Sequence, residues 1–276
     1  MSFVPGVIGR NGMDDPRFEF GKNWQSFLST VTRESIAHAE AGLRKLFPDD
    51  EIAGSTFLDV GCGSGLSMLA ALRLGATEIQ GMDLDPYSVI AAERLLAHEN
   101  ARVFQKSILD SSSREIGTFD IVHSWGVLHH TGAMWEALSR ASDLVRPGGF
   151  LAVALYRATP LCTLWTYEKL LYVRSPRSVR AGIRLLYKLS FLAGKFVSGS
   201  SPTSHLRNYH SARGMSWHHD VEDWLGGYPY ESASPDEVKA RLETLGFQIV
   251  RCFEKPAPVA GLFGSHCDEY VAKKLV

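Results

Sequence analysis

One stretch near residue 60 constrains the fold more than any other. Phe57-Leu58-Asp59-Val60-Gly61-Cys62-Gly63-Ser64-Gly65 is an apolar run that ends in an acid and then puts glycine at alternate positions. A helical pattern follows, and a second apolar run closes on Gly81-Met82-Asp83-Leu84-Asp85-Pro86. Physically this is a strand, a loop with no Cβ at its contact points, a helix N-terminus, and a second strand with a carboxylate at its tip. Such a unit holds a nucleoside-bearing cofactor at the carboxyl ends of parallel strands. A dinucleotide fingerprint needs G-x-G-x-x-G. Here the third glycine, Gly65, comes one place early and Leu66 follows it. Asp59 stands two residues before Gly61. A carboxylate there is unhelpful to a pyrophosphate and suits a cationic ligand.

The pattern D-x-G-x-G-x-G, with Asp83 at the end of the next strand, resembles the class I S-adenosylmethionine-dependent methyltransferases, of the bacterial small-molecule type. The resemblance implies a doubly wound, mostly parallel seven-stranded sheet, Rossmann-like, with one antiparallel strand. It implies S-adenosylmethionine as cofactor and S-adenosylhomocysteine (SAH) as product. The loop of Gly61, Cys62, Gly63 and Gly65 then cradles the methionine part, beside Asp59, and Asp83 takes the two ribose hydroxyls. Ser107 and Ile108 match the positions that read the adenine edge, although that family often has Asp where this chain has Ser107. Leu84 would lie against the adenine face. A backbone carbonyl near Ser124 or Trp125 would take the cofactor's amino group. Phe18 to Trp24 reads equally as a cover over the cofactor, with Trp24 against it, or as an amphipathic arm on the surface.

At 276 residues the chain suits one domain with a large insertion. A net charge of −1 argues against a chain dedicated to nucleic acid, so no nucleic-acid partner is expected. Cys62, Cys162, Cys252 and Cys267 show no C-x-x-C spacing, which disfavours a zinc site or disulfide framework and fits a reducing, cytoplasmic setting. No uncharged apolar run approaches the roughly 20 residues that span a bilayer. Apolar and β-prone runs at 56–60, 78–83, 102–105, 119–124 and 150–156 alternate with helical patterns at 66–74, 86–98 and 134–145. That repetition means a parallel sheet with helices on both faces. Ser234-Pro235-Asp236-Glu237 reads as a capping box for a helix to Leu245. Two strands follow, 247–254 and 269–275, as an antiparallel hairpin. The expected organisation is an N-terminal arm and helix over 1–54, the cofactor-binding half over 55–157, a helical lid and acceptor insertion over 158–233, and a C-terminal helix and hairpin over 234–276.

The insertion is where charge concentrates. Residues 156–215 hold ten Lys or Arg against the single acid Glu168, a net +9 that the rest of the chain balances with −10. Three readings stand: a lid whose basic face is solvated, a site for an acidic or phosphorylated small-molecule acceptor, or peripheral contact with an anionic membrane surface.

Chemistry concentrates in two places. The turn after the fourth strand, His123-Ser124-Trp125-Gly126-Val127-Leu128-His129-His130, sits over the transferable methyl group in the resembled family. His129 is the candidate general base, because a neutral imidazole there could take a proton from an oxygen or nitrogen nucleophile. His130 would face the acceptor. The second place is Trp217-His218-His219-Asp220 with Trp224 and Gly226-Gly227-Tyr228-Pro229-Tyr230. Neighbouring helical residues point about 100° apart, so His218 and His219 cannot easily share a metal ion, and none is expected. Trp217, His218, His219 and Tyr228 are instead expected to wall the acceptor pocket. The activity implied is methyl transfer to an oxygen, nitrogen or other nucleophilic atom of a small molecule. RNA or protein methylation is the alternative among enzymes, and a catalytically silent cofactor-binding scaffold the alternative outside them.

Overall fold

The computed structural model describes residues 20–21, 31–48, 50–197, 199, 201, 203, 206, 217–255, 261–262 and 264–276. Seven strands form one sheet: β1 (Thr56–Val60), β2 (Glu78–Asp83), β3 (Ala101–Gln105), β4 (Phe119–Trp125), β5 (Val145–Tyr156), β6 (Phe247–Phe253) and β7 (Cys267–Lys274). Their order is β3-β2-β1-β4-β5-β7-β6. Strands β1 to β5 run parallel, and β7 lies antiparallel to both β5 and β6. Strand β5 is longer than its apolar run, because it begins at Val145, opposite Phe119, and continues through Pro147-Gly148-Gly149 after an irregularity in the pairing.

The helices are α1 (Arg33–Leu46), α2 (Leu66–Arg73), α3 (Pro86–Leu95), the single turn α4 (Ser113–Ile116), α5 (Met134–Asp143), α6 (Cys162–Arg174), α7 (Arg177–Val197), α8 (Trp217–Gly226) and α9 (Pro235–Thr244). Their starts follow from local chemistry. Asp85 caps α3 by accepting from the Tyr87 N–H, and Pro86 occupies the first turn, where no amide partner is needed. Ser234 and Glu237 form the reciprocal capping box of α9.

Strand residues alternate between two buried layers, as a period of two requires. Leu58, Val60, Val122 and Val153 pack against α5 and α9. Phe57, Ile79, Ile121 and Ala152 pack against α1 and α2. The carboxyl ends of β1, β2, β4 and β5 thus meet along one edge, and α6, α7 and α8 leave the chain there, after Tyr156. Residues 233 and 157 bridge in parallel, and the Ala233 N–H returns to the Tyr156 carbonyl at 3.0 Å. Ala233 itself is core. The end of the inserted segment is therefore fastened to β5.

Candidate active site

The loop after β1 is held by the tip of β2. Gly61 and Cys62 donate their N–H groups to the Met82 carbonyl at 2.7 and 3.0 Å. The Gly63 N–H donates to Asp83 Oδ2 at 3.0 Å, and the Asp85 N–H to Asp83 Oδ1 at 2.9 Å. Gly61, Gly63 and Gly65 have φ of 76°, 52° and 78°, a region that other residues enter only under strain. At Gly61 a Cβ would also fall 2.4 Å from Val127 Cγ1, so this glycine seats the loop on the turn after β4. Gly65 packs similarly on Ala92 of α3.

The electrostatics of this corner are negative. Burial pushes the Asp83 carboxyl up to about 6, against the pull of the Asp85 and Gly63 amides. The Cys62 thiol is pushed well above its usual value by burial and by the carboxylates of Asp59 and Asp83. Beside Asp83, Leu84 is 50 % exposed, and Trp125 at the end of β4 is 49 % exposed. An acceptor-rich acid, a glycine loop and half-exposed apolar side chains fit an adenosyl group carrying a cation. Phe20 and Gly21 lie on the same corner. The Gly21 N–H donates to Asp85 Oδ2 at 2.8 Å, and the Phe20 ring lies 5.2 Å from that of His130. Trp24 is outside the described residues.

Other expected contacts take a different form. Asp59 and His123 are register partners across β1 and β4, and their buried side chains meet at 2.8 Å between Oδ1 and Nδ1. The acid expected to face a cationic ligand is thus committed to an in-chain partner. Ser107 uses its hydroxyl to cap the turn Ile108–Asp110, accepting from the Leu109 N–H at 3.2 Å. Ile108 is buried among Met82 and Leu138, so its side chain is core. Ser124 is fully buried, and its hydroxyl donates to the Val60 carbonyl at 3.0 Å.

His129 is fully buried, and burial, together with His130 and Lys169, holds its imidazole well below the usual range. Its Nδ1 accepts from the Tyr156 N–H at 3.3 Å. The Ala154 carbonyl also hydrogen-bonds the ring and favours its protonated form. Nε2 has no partner. His129 is thus a fully buried imidazole at the turn where the base is expected. His130 is lowered by burial to about 4, and its Nδ1 donates to the Pro229 carbonyl at 2.7 Å, so it fastens the turn to the segment after α8.

Around these histidines stands an aromatic cluster that the sequence only partly locates. The Tyr156 ring lies 3.8 Å from His129, 5.1 Å from Tyr230 and 5.6 Å from Trp224. Lys169, on α6, is fully buried and sits 3.6 Å over the Trp224 ring, donating to the Trp224 carbonyl. Burial lowers its ammonium and raises the carboxyl of neighbouring Glu168, whose two buried oxygens have no partner. Trp224 Nε1 is likewise buried without one. Trp224 and Tyr230 belong to the aromatic cluster visible in the sequence, whereas nothing in the composition marks Lys169 among ten basic residues.

The other acceptor candidates disperse. Trp217 packs on Phe191 at 6.4 Å. His218 meets Lys188 at 3.0 Å and lies six residues, about 9 Å of helix, from Trp224. The side chain of His219 is outside the described residues. Tyr228 is partly buried between Trp224 and Tyr230 in sequence. Among the described residues, no three His, Cys, Asp or Glu side chains gather as a metal site.

Comparison with known proteins bears on this corner. Residues 58–151 match a family described as "Methyltransferase domain". A ribosomal protein L11 methyltransferase of Xanthomonas oryzae pv. oryzae is 31% identical over 144 residues, covering 51% of this chain and 41% of that protein. A tRNA U34 carboxymethyltransferase of Idiomarina loihiensis is 34% identical over 110 residues, covering 38% and 33%. The chain thus spans less than half the length of these curated relatives. Among solved structures, magnesium protoporphyrin IX methyltransferase from Synechocystis PCC 6803 with bound SAH superposes with a TM-score of 0.53 at 15% identity, covering 92% of this chain and 93% of that one. At that identity the likeness is one of fold.

Proposed function

The chain carries a class I S-adenosylmethionine-dependent methyltransferase domain, and from that premise we propose that it methylates a small molecule bearing an anionic or strongly hydrogen-bond-accepting group. When bound, the cofactor supplies an electrophilic methyl group on a sulfonium. The residues offered to hold it are Gly61, Cys62 and Gly63 of the loop, Asp83 at the ribose, Leu84 at the adenine, and the β4 terminus at Ser124 and Trp125. Phe20 and Gly21 lie against Asp85 and His130 and support a covering role for the N-terminal arm.

One observation carries the acceptor reading: buried polar groups without partners surround Tyr156. Among the described residues, Trp224 Nε1 and His129 Nε2 have none, and the Lys169 ammonium has a single carbonyl and aromatic faces. Leaving a buried donor such as the indole N–H unsatisfied costs about 1–3 kcal/mol, so these groups suit an occupant rich in acceptor oxygens. The donors would fix that occupant while Tyr156, Trp224 and Tyr230 exclude water, and positioning then supplies most of the rate. His129 Nε2, without a partner among the described residues, is the group offered to orient the acceptor and to take its proton.

The names of the relatives point to protein and tRNA acceptors for those proteins, so the test separates acceptor classes. Methyl-labelled cofactor is incubated with the purified protein and a cell extract, and the products are divided by ultrafiltration. The label is expected in acidic small molecules of the filtrate. Label found only in retained RNA or protein would overturn the reading. With the acceptor in hand, Lys169→Met should raise the acceptor KM by about 10–100-fold, the scale of a hydrogen bond to a charged group, with cofactor affinity unchanged.

A further inference from the structure

The basic insertion contains a helix that turns an apolar stripe outward. Helix α7 packs Ile183 and Tyr187 inward on the cluster of Tyr172, Val221 and Leu225, as a surface helix should, and it carries a second apolar stripe on its outer side. Here the outward stripe is Leu185, Leu186, Leu189 and Phe196, with Leu186 68 % and Phe196 74 % exposed. Small residues Gly182 and Ala193 continue it. The cations lie on the other side. Arg184 pairs with Glu222 of α8 at 2.6 Å and donates to the Tyr172 hydroxyl at 3.1 Å. Lys188 stands 5.2 Å over the Trp217 ring, and Arg180 donates to the Ser175 carbonyl at 2.8 Å.

Helix α6 repeats the arrangement. It buries Lys169 and Tyr172 toward α8 and exposes Leu164, Tyr167 and Leu171, which recur at helical spacing. Both helices pack on α8, and both apolar stripes point away from it. Monomeric surfaces rarely leave apolar faces of this extent to water, and those that do mark an interaction site.

Charge decides the partner. Helix α7 has five cations, Arg177, Arg180, Arg184, Lys188 and Lys195, and no acid. A second copy docked on this face would bring two such helices together at a like-charge cost. An anionic bilayer presents an apolar interior for the leucines and negative headgroups for Arg174 and Arg177, which are exposed at the turn between α6 and α7. No helix among the described residues is long and apolar enough to cross a membrane, so the contact is one of lying on the surface.

We propose that α6 and α7 form an interfacial docking surface for anionic phospholipid membranes, with Leu185, Leu186, Leu189 and Phe196 entering the acyl boundary. This surface does not depend on the acceptor reading. The test is co-sedimentation of the full chain with vesicles of phosphatidylcholine alone, or of phosphatidylcholine and phosphatidylglycerol in equal amounts. Binding to the anionic vesicles is expected to exceed binding to the neutral ones by at least about tenfold and to weaken as salt rises. The triple variant Leu186→Ser, Leu189→Ser, Phe196→Ser changes only exposed side chains, and should lower binding at least about tenfold with the circular dichroism spectrum unchanged. Should that variant misfold, Arg174→Glu with Arg177→Glu, both exposed at the turn between the helices, should reduce binding to anionic vesicles alone. Absence of binding to either vesicle would overturn the proposal. So would wild-type binding by a folded variant, or a dimer that the triple variant dissolves while vesicles never compete for it.

Discussion

Asp83 is where the chain's chemistry and its stability meet. Its carboxyl ties the glycine loop to β2 through the Gly63 and Asp85 amides, yet burial pushes it up to about 6 from an ordinary value near 3.8. The folded protein therefore holds this proton more tightly than the unfolded chain does. Without cofactor, that contribution to stability is complete below about pH 4 and is lost as pH rises through about 6. Asp83→Asn cannot titrate, so denaturant melts of the cofactor-free protein should show this part of the pH slope in the wild type and lose it in the variant. An identical slope in both would assign the titration to another group. The Asp59–His123 pair teaches a different lesson at the same scale. Asp59 was legible as an acid beside the loop, but its partner depends on the register between β1 and β4, 64 residues apart in sequence. No local pattern carries that register, so the in-chain pair was hidden. His129 was legible as a candidate, and its surroundings were not, because the Tyr156 N–H and the Ala154 carbonyl that meet its ring come from the end of β5.

Among elements, α5 shows how the inserted segment supports the sheet domain. No side chain in its own N-terminal turn caps it. The Met134 N–H instead donates to Glu231, at 3.0 Å to Oε2 and 3.2 Å to Oε1, from 97 residues away. Burial raises the Glu231 carboxyl although the Met134 and Gly132 amides favour its charged form. A carboxylate at a helix N-terminus satisfies free amides and meets the positive end of the dipole. Glu231→Ala should lower stability by about 1–2 kcal/mol in a chemical melt, and Glu231→Gln by less. No loss in the alanine variant would mean that the cap is incidental. The strands and most helices were legible element by element, since glycine loops, Pro86 and the Ser234–Glu237 box mark their ends locally. The second, outward apolar stripe of α7 was not: periodicity shows where apolar residues recur and says nothing of which of them meet the protein. Nor did sequence show that residues near Ala233 belong to the core, which makes the insertion inseparable at its C-terminal end.

At the scale of the whole molecule, one sheet edge organises everything described. The carboxyl ends of β1 and β2 form the cofactor corner, those of β4 and β5 carry the aromatic cluster, and α6 and α7 turn apolar stripes outward. Adenosyl binding at Asp83 and the glycine loop is the claim on which the remainder rests, and calorimetric titration with SAH tests it most directly. The wild-type chain should bind one SAH, and Asp83→Ala should bind it more weakly by about 1.5–3 kcal/mol, the value of hydrogen bonds to a charged acceptor. A folded wild-type protein that binds no SAH, or an Asp83→Ala variant that binds it as tightly as the wild type, would contradict the account.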